Sequence, residues 1–250
     1  MPERASTGVV SCEDRAAGVS PVYAYRKNPS MVDYPGHLAA LLFTGGCNFR
    51  CGFCHNAALM GSARPGLSWQ RLLDALQGLR ESWADAAVIS GGEPTLHHDL
   101  PRLIEALRAL GWKVKLDTNG SNPDMLSACM PLLDSVAMDI KTCRDEYPAL
   151  TGFSDVARMD ASIRLIREQA RDYEFRTTVL PGVHTQDVMQ RIGHWLQGSQ
   201  RYVLQAFVPT DTLPDARLRT ETRTPPGDLA RLRDLMQAHI PCVQVRGENA

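Results

Sequence analysis

At 250 residues, with a formal net charge of −1 and a pI of about 6.6, the chain carries no global basic field that would direct it to nucleic acid or an anionic membrane. Its hydrophobic content of 44% is ordinary for a globular protein, and no apolar run approaches the roughly 20 residues that span a bilayer. The polar stretch Met1 to Ser20 lacks the apolar region of a secretory signal, so the reading is a cytoplasmic protein with one core.

Residues 1–20 are charged, small and aperiodic, which predicts a flexible lead-in. Val22 to Met31 suits an irregular arm, closed by the turn signal Tyr34-Pro35-Gly36. Leu38 to Thr44 is an apolar run of strand length. After a cysteine-rich loop, Ser68 is placed to cap a helix whose inner face is Trp69, Leu72, Leu73, Leu76 and Leu79. Ala86 to Ser90 is a buried strand, and Asp99 stands where a cap belongs for a helix with Pro101 in its first turn and Gly111 beyond its end. Strands over Lys113 to Thr118, Ser135 to Ile140, Tyr173 to Leu180 and Tyr202 to Val208 follow. Helices over Pro123 to Met130, Asp155 to Ala170 and Thr185 to Leu196 separate them. Six alternations predict a parallel sheet with right-handed crossovers. Residues 21–210 form this core, and residues 211–250 read as a C-terminal extension with a helix over Gly227 to His239 and a last strand over Cys242 to Val245.

Chemistry concentrates in Gly45-Gly46-Cys47-Asn48-Phe49-Arg50-Cys51-Gly52-Phe53-Cys54-His55-Asn56. Cys47, Cys51 and Cys54 are spaced C-x3-C-x2-C on a loop leaving the first strand. Closely spaced thiolates suit iron–sulfur clusters. Three ligands to a four-iron cubane leave one iron open, as in metal sites that bind substrate. A structural zinc loop with His55 as fourth ligand is the alternative, although zinc sites usually arrive as two separated pairs and no second C-x2-C occurs. Of seven cysteines, Cys12, Cys129, Cys143 and Cys242 lie scattered and suit a reducing core.

The cysteine loop after a first strand and Gly91-Gly92-Glu93-Pro94 after a second resemble the radical S-adenosylmethionine (SAM) superfamily. Val32-Asp33-Tyr34-Pro35-Gly36, Leu116-Asp117-Thr118-Asn119-Gly120 and Met138-Asp139-Ile140-Lys141 narrow the likeness to glycyl-radical activating enzymes, nearest to anaerobic ribonucleoside-triphosphate reductase activating proteins. The resemblance implies a partial (β/α)6 TIM-like barrel with a lateral opening. It implies a [4Fe–4S] cluster on Cys47, Cys51 and Cys54, and SAM held by the Gly91, Gly92 and Glu93 turn with Asp117, Asp139, Lys141 and Arg176. It also implies a glycyl-radical enzyme as partner, an external flavodoxin- or ferredoxin-like electron donor, and no catalytic acid or base of the chain's own. A side chain at Gly92 is expected to crowd SAM while sparing the cluster.

Strand alternation supports a charged interior independently. Lys115 and Asp117 share one face, Ala137, Asp139 and Lys141 another, and Glu174, Arg176 and Thr178 a third. Buried together, such charges must pair or hold a ligand. His97-His98 reads as a solvated pair, and Arg158, Arg164, Arg167 and Arg171 as a wet helix face.

The last core strand lacks the histidine found there in some activating enzymes, leaving Gln205 for a polar role and Phe207 for stacking. This departure bears against pyruvate formate-lyase activation. A small-molecule enzyme resembling 7-carboxy-7-deazaguanine synthase is the rival, although that family usually has tryptophan and aspartate where Phe53 and His55 stand. A metal-bearing binding module without turnover is the remaining alternative.

Overall fold

The computed structural model describes residues 18–61 and 64–247. The expected lead-in over residues 1–20 therefore falls, but for its last three residues, outside the described residues, as does Cys12.

Eight strands form one sheet in chain order: β1 (Val22–Tyr25), β2 (Ala39–Thr44), β3 (Ala86–Gly91), β4 (Lys113–Thr118), β5 (Ser135–Asp139), β6 (Tyr173–Val179), β7 (Arg201–Ala206) and β8 (Cys242–Arg246). β1 runs antiparallel to β2, and every later pair is parallel. The six predicted core strands are β2 to β7, the partial TIM-like barrel of the sequence reading. β1 and β8 lengthen the sheet at its two edges. Because parallel strands are buried on both faces, they carry near-continuous apolar runs, as in Ala39-Ala40-Leu41-Leu42 and Ala86-Ala87-Val88-Ile89, all buried.

Helices α1 (Trp69–Glu81), α2 (Leu100–Ala109), α3 (Pro123–Cys129), α4 (Tyr147–Thr151), α5 (Val156–Gln169), α6 (Gln186–Trp195), α7 (Ala216–Arg219) and α8 (Pro226–Met236) fill the connections. Ser68 caps α1 through Arg71 N–H at 3.3 Å, and Thr185 caps α6 through Val188 N–H at 3.3 Å. Asp99 does not cap α2 with its side chain; its carboxylate instead lies 3.3 Å from His98. Helix α4, absent from the sequence reading, sits between β5 and α5, and its Tyr147 is fully buried.

Residues beyond 210 continue the same sheet. β8 pairs with β7 from Arg201 and Cys242 to Gln205 and Arg246, and Leu213, Leu229 and Met236 are fully buried. Among the described residues, no helix is long and apolar enough to cross a membrane. Trp83, just after α1, is an exposed non-glycine residue with φ +70°.

Candidate active site

The cysteine loop leaves β2 at its C-terminal end, where parallel α/β sheets place their sites. Its backbone is bonded on three sides. Gly46 N–H donates to Leu59 O at 2.9 Å, Glu93 N–H to Gly46 O at 2.8 Å, and Arg50 N–H to Thr151 O, at the end of α4, at 2.7 Å. On the fourth side Asp215 N–H, just before α7, donates to Gly52 O at 3.0 Å.

Gly91 and Gly92 let the β3 turn touch this loop. Gly91 has φ +121°, and a Cβ there would lie 2.3 Å from Thr44 N. A Cβ on Gly92 would lie 2.0 Å from Gly46 O. This corrects the sequence expectation at Gly92: a side chain would strike the cysteine loop itself, so it would disturb the cluster site as well as SAM.

Cys51 is buried and Cys47 and Cys54 are half-buried. Burial pushes the Cys47 thiol up to about 12 and the Cys51 thiol up to about 11, while the Lys141 ammonium works against this for both. Such thiols ionise only beside strong positive charge, and coordinated iron supplies it. A soft thiolate triad beside an open cleft fits an iron–sulfur cluster. Among the described residues, no three His, Cys, Asp or Glu side chains converge as one mononuclear ion requires. The zinc alternative needs that convergence, and His55 is exposed.

The cleft beside the cysteines encloses about 750 Å³ of empty space, its open mouth included. Its walls include Cys47, Cys51, Cys54, Gly91, Gly92, Glu93, Asp117, Asp139 and Lys141. Arg176 lies beneath, bridging Asp117 Oδ2 at 3.1 Å and Asp139 Oδ1 at 3.0 Å. Lys141 Nζ donates to Asp139 Oδ2 at 2.9 Å. Burial would raise the Asp139 carboxyl, but Arg176 and Lys141 outweigh it and hold the group at about 2. Asp117 Oδ1 is buried without a hydrogen bond, 3.4 Å from Lys115 Nζ. That oxygen is ion-paired with the Lys115 ammonium below the cleft.

Glu93 is different. Its carboxylate is fully buried and accepts from Thr95 N–H at 3.0 Å, Thr95 Oγ1 at 2.5 Å, Thr118 Oγ1 at 2.7 Å and Asn119 N–H at 2.6 Å. It ties the β3 turn to the β4 turn, and what the turn offers the cleft is backbone.

Several residues that the sequence reading set aside help to build the site. His97 is half-buried, with Nε2 2.8 Å from Gly45 O, so of that pair His98 alone is exposed. Arg158 is partly exposed but not merely solvated: its guanidinium donates to Ser121 O at 2.7 Å and Asn122 Oδ1 at 3.1 Å. Tyr147 accepts from Lys141 N–H at 2.9 Å through its hydroxyl and so sets the start of the Lys141 turn. Gln205 and Phe207 do not line the cleft; Phe207 is fully buried under the residues after β7, its N–H donating to Thr224 Oγ1 at 2.8 Å.

Residues 41–193 match the family model of the radical SAM superfamily. The chain belongs to the radical SAM superfamily. It is a radical SAM enzyme, and its cofactors are a [4Fe–4S] cluster and SAM. It is 29% identical over 228 residues to a Methanocaldococcus jannaschii protein provisionally named a glycyl-radical enzyme activating enzyme, covering 88% of this chain and 93% of that one. Against the 7-carboxy-7-deazaguanine synthase of Neisseria meningitidis serogroup B it is 34% identical over 108 residues, covering 43% of this chain and 46% of that one. Among solved structures, Streptococcus suis SuiB bound to its precursor peptide SuiA superposes with a TM-score of 0.65 at 14% identity, over 82% of this chain and 47% of SuiB. A domain of a pyruvate-formate lyase-activating enzyme from Bacteroides vulgatus gives 0.53 at 11% identity, over 66% of this chain and 100% of that domain. At these identities the structural likeness is one of fold.

Proposed function

We propose that this radical SAM enzyme generates a glycyl radical on a partner protein, and that the partner is an anaerobic ribonucleoside-triphosphate reductase. The observation that carries the reading is the match to a glycyl-radical activating relative over nearly the whole of both chains. The Neisseria synthase match, higher in identity, covers less than half of either chain. A synthase of Methanopyrus kandleri reaches 60% of this chain and 70% of that one at 27% identity, short of the span of the activating relative. The motifs from Asp117 to Gly120 and from Met138 to Lys141 support the same subgroup.

The residues divide the work. Cys47, Cys51 and Cys54 hold the cluster. The backbone of Gly91 and Gly92 presents polar groups to the amino end of SAM, and Asp117, Asp139 and Lys141 line the rest of the cleft. Arg176 braces the two aspartates from below without filling the cleft. When bound and reduced, cluster and SAM together supply the radical chemistry that removes a hydrogen from a glycine Cα. The protein orients the components and excludes water, and no side-chain acid or base is needed. Reduction calls for an external flavodoxin- or ferredoxin-like donor.

The test is anaerobic: reconstituted, reduced protein, SAM and an anaerobic ribonucleotide reductase should give a glycyl doublet by electron paramagnetic resonance. No glycyl signal with any reductase or lyase, together with turnover of a small heterocyclic substrate, would establish the synthase-like reading instead. Metal uptake without any consumption of SAM would point to a binding module.

A further inference from the structure

The turn after β4, Asn119 to Asn122, is held by hydrogen bonds from α5, from the β3 turn and from the cysteine loop. Gly120 O accepts from Ser162 Oγ at 2.7 Å, and Ser121 O accepts from Arg158 Nε at 2.7 Å, both from α5. Glu93 holds the Asn119 N–H at 2.6 Å. Asn48, inside the cysteine loop, donates to Ser121 Oγ at 2.9 Å.

Within this frame the Asn119 carboxamide has one possible orientation. Its Oδ1 accepts from Ser121 N–H at 2.9 Å, and a backbone N–H can only donate. The amino group must therefore face the other way. There it meets Asn48 Oδ1 at 3.0 Å and Cys47 Sγ at 3.8 Å. Cys47 Sγ also accepts from Phe49 N–H at 3.4 Å. Hydrogen bonds to the sulfurs are among the factors that set a cluster's potential, because each N–H dipole stabilises the extra negative charge of the reduced state.

We propose that Asn119 is a positioning residue that donates an N–H to the Cys47 sulfur and raises the reduction potential of the cluster bound there. The inference rests on Cys47 being a cluster ligand. It assigns to Asn119 an electrostatic task separate from latching the turn, and to Glu93, Ser121 and Arg158 the task of keeping its amino group aimed at sulfur.

Two variants separate these tasks. Asn119→Ala removes the donor to sulfur together with the Asn119 bonds to Asn48 and Ser121. Asn48→Ala removes the latch, including the Asn48 oxygen that the Asn119 amino group meets, and leaves the donor to sulfur in place. Both are reconstituted anaerobically, and the potential of the loaded cluster is measured by titration followed by absorbance and electron paramagnetic resonance. In Asn119→Ala the potential should move to more negative values. At a fixed solution potential the ratio of reduced to oxidised cluster should fall about three- to ten-fold, the ordinary worth of one hydrogen bond. Asn48→Ala should stay with the wild type. Equal potentials in all three proteins, or equal shifts in both variants, would overturn the proposal. If Asn119→Ala loads no cluster, the uncharged Asn119→Ser, whose hydroxyl can still accept from Ser121 N–H but which lacks the amino group facing sulfur, is titrated in its place. Failure of both to load while Asn48→Ala loads normally would also overturn it, in favour of a purely structural Asn119. A wild-type protein whose cluster forms without Cys47 would instead defeat the ligand assignment beneath it.

Discussion

At the floor of the barrel, Glu174 takes two bonds from Arg246, at 2.8 and 2.6 Å, and lies 3.5 Å from Lys115. Lys115 is 3% exposed and also donates to Asp33 O at 2.7 Å, pinning the N-terminal arm beneath the sheet. At the cleft end Arg176, Lys141, Asp117 and Asp139 use the same residue types, yet Asp117 keeps one oxygen without a hydrogen bond. Lys115 faces that oxygen at 3.4 Å, so the two sets touch. They differ in access: the side chains of Lys115 and Glu174 are 3% and 4% exposed, those of Lys141 and Asp139 20% and 27%. Paired charges shut away from water hold the fold, whereas charges open to a cleft can meet a ligand. The strand alternation that buries charge is one pattern serving both ends, and access to the cleft is what tells them apart.

The largest effects should fall at the cleft. Cys47→Ala, Cys51→Ala or Cys54→Ala should each abolish iron–sulfur absorbance after reconstitution, and Cys129→Ala, Cys143→Ala and Cys242→Ala should retain it. Dependence on any of the latter three would erase the distinction between the ligand cysteines and the others. Of these, Cys129 and Cys143 are buried, while Cys242, against the sequence expectation of a core thiol, is exposed on the edge strand β8. At the floor, Glu174→Ala takes the carboxylate from Arg246 and from Lys115, although Lys115 keeps Asp117 and Asp33 O. It should destabilise the fold by about 3–5 kcal/mol in urea titrations, with SAM affinity of the folded fraction unchanged. A comparable loss of affinity would mean that Lys115, which touches Asp117, carries the change to the cleft.

Acid should act on both ends. The folded Asp139 carboxyl titrates at about 2, below the ordinary 3.8, so its contribution is complete above pH 3.8 and is lost as pH falls towards 2. That contribution is about 2 kcal/mol. Denaturant titrations between pH 5 and pH 2 should show it, and Asp139→Asn should flatten that part of the profile. Asp117→Asn keeps the size of the side chain and weakens its pairing, and should lower SAM affinity about ten-fold, one charge-assisted hydrogen bond's worth, by calorimetry. The smallest change lies outside both ends: Trp83→Gly relieves a left-handed residue and should stabilise by about 1 kcal/mol, a baseline for reading the others.

Much of this was legible because the chemistry demands local spacing. Cys47, Cys51 and Cys54 must share one loop, and the charged faces of β4, β5 and β6 follow from alternation alone. The strand content also came through, since buried parallel strands write themselves as apolar runs. Arg158 and His97 were illegible for a physical reason. Each sits in a polar setting along the chain and finds its partner, Ser121 O or Gly45 O, only across the fold. Gly92 was placed correctly in the turn, but its tight neighbour Gly46 lies on another strand's loop, which no spacing reveals. The role of the residues after β7 was hidden likewise, because Asp215 contacts the cysteine loop through a backbone N–H that any residue carries.

That last contact has a consequence during synthesis. The cysteine loop leaves the ribosome early, and the residue that covers its Gly52 side follows roughly 160 residues later, a delay of roughly 8–30 s at ordinary elongation rates. Through that interval the loop gains its supports in turn, Glu93 first, then Thr151 and last Asp215, and the three thiols stand open to oxidation and to cluster donors alike. Cluster delivery before release of the chain would meet an accessible loop, and delivery afterwards would have to pass the docked segment. Pulse-labelled nascent chains stalled on either side of Asp215 would show, by their thiol reactivity, how much protection that single late contact brings.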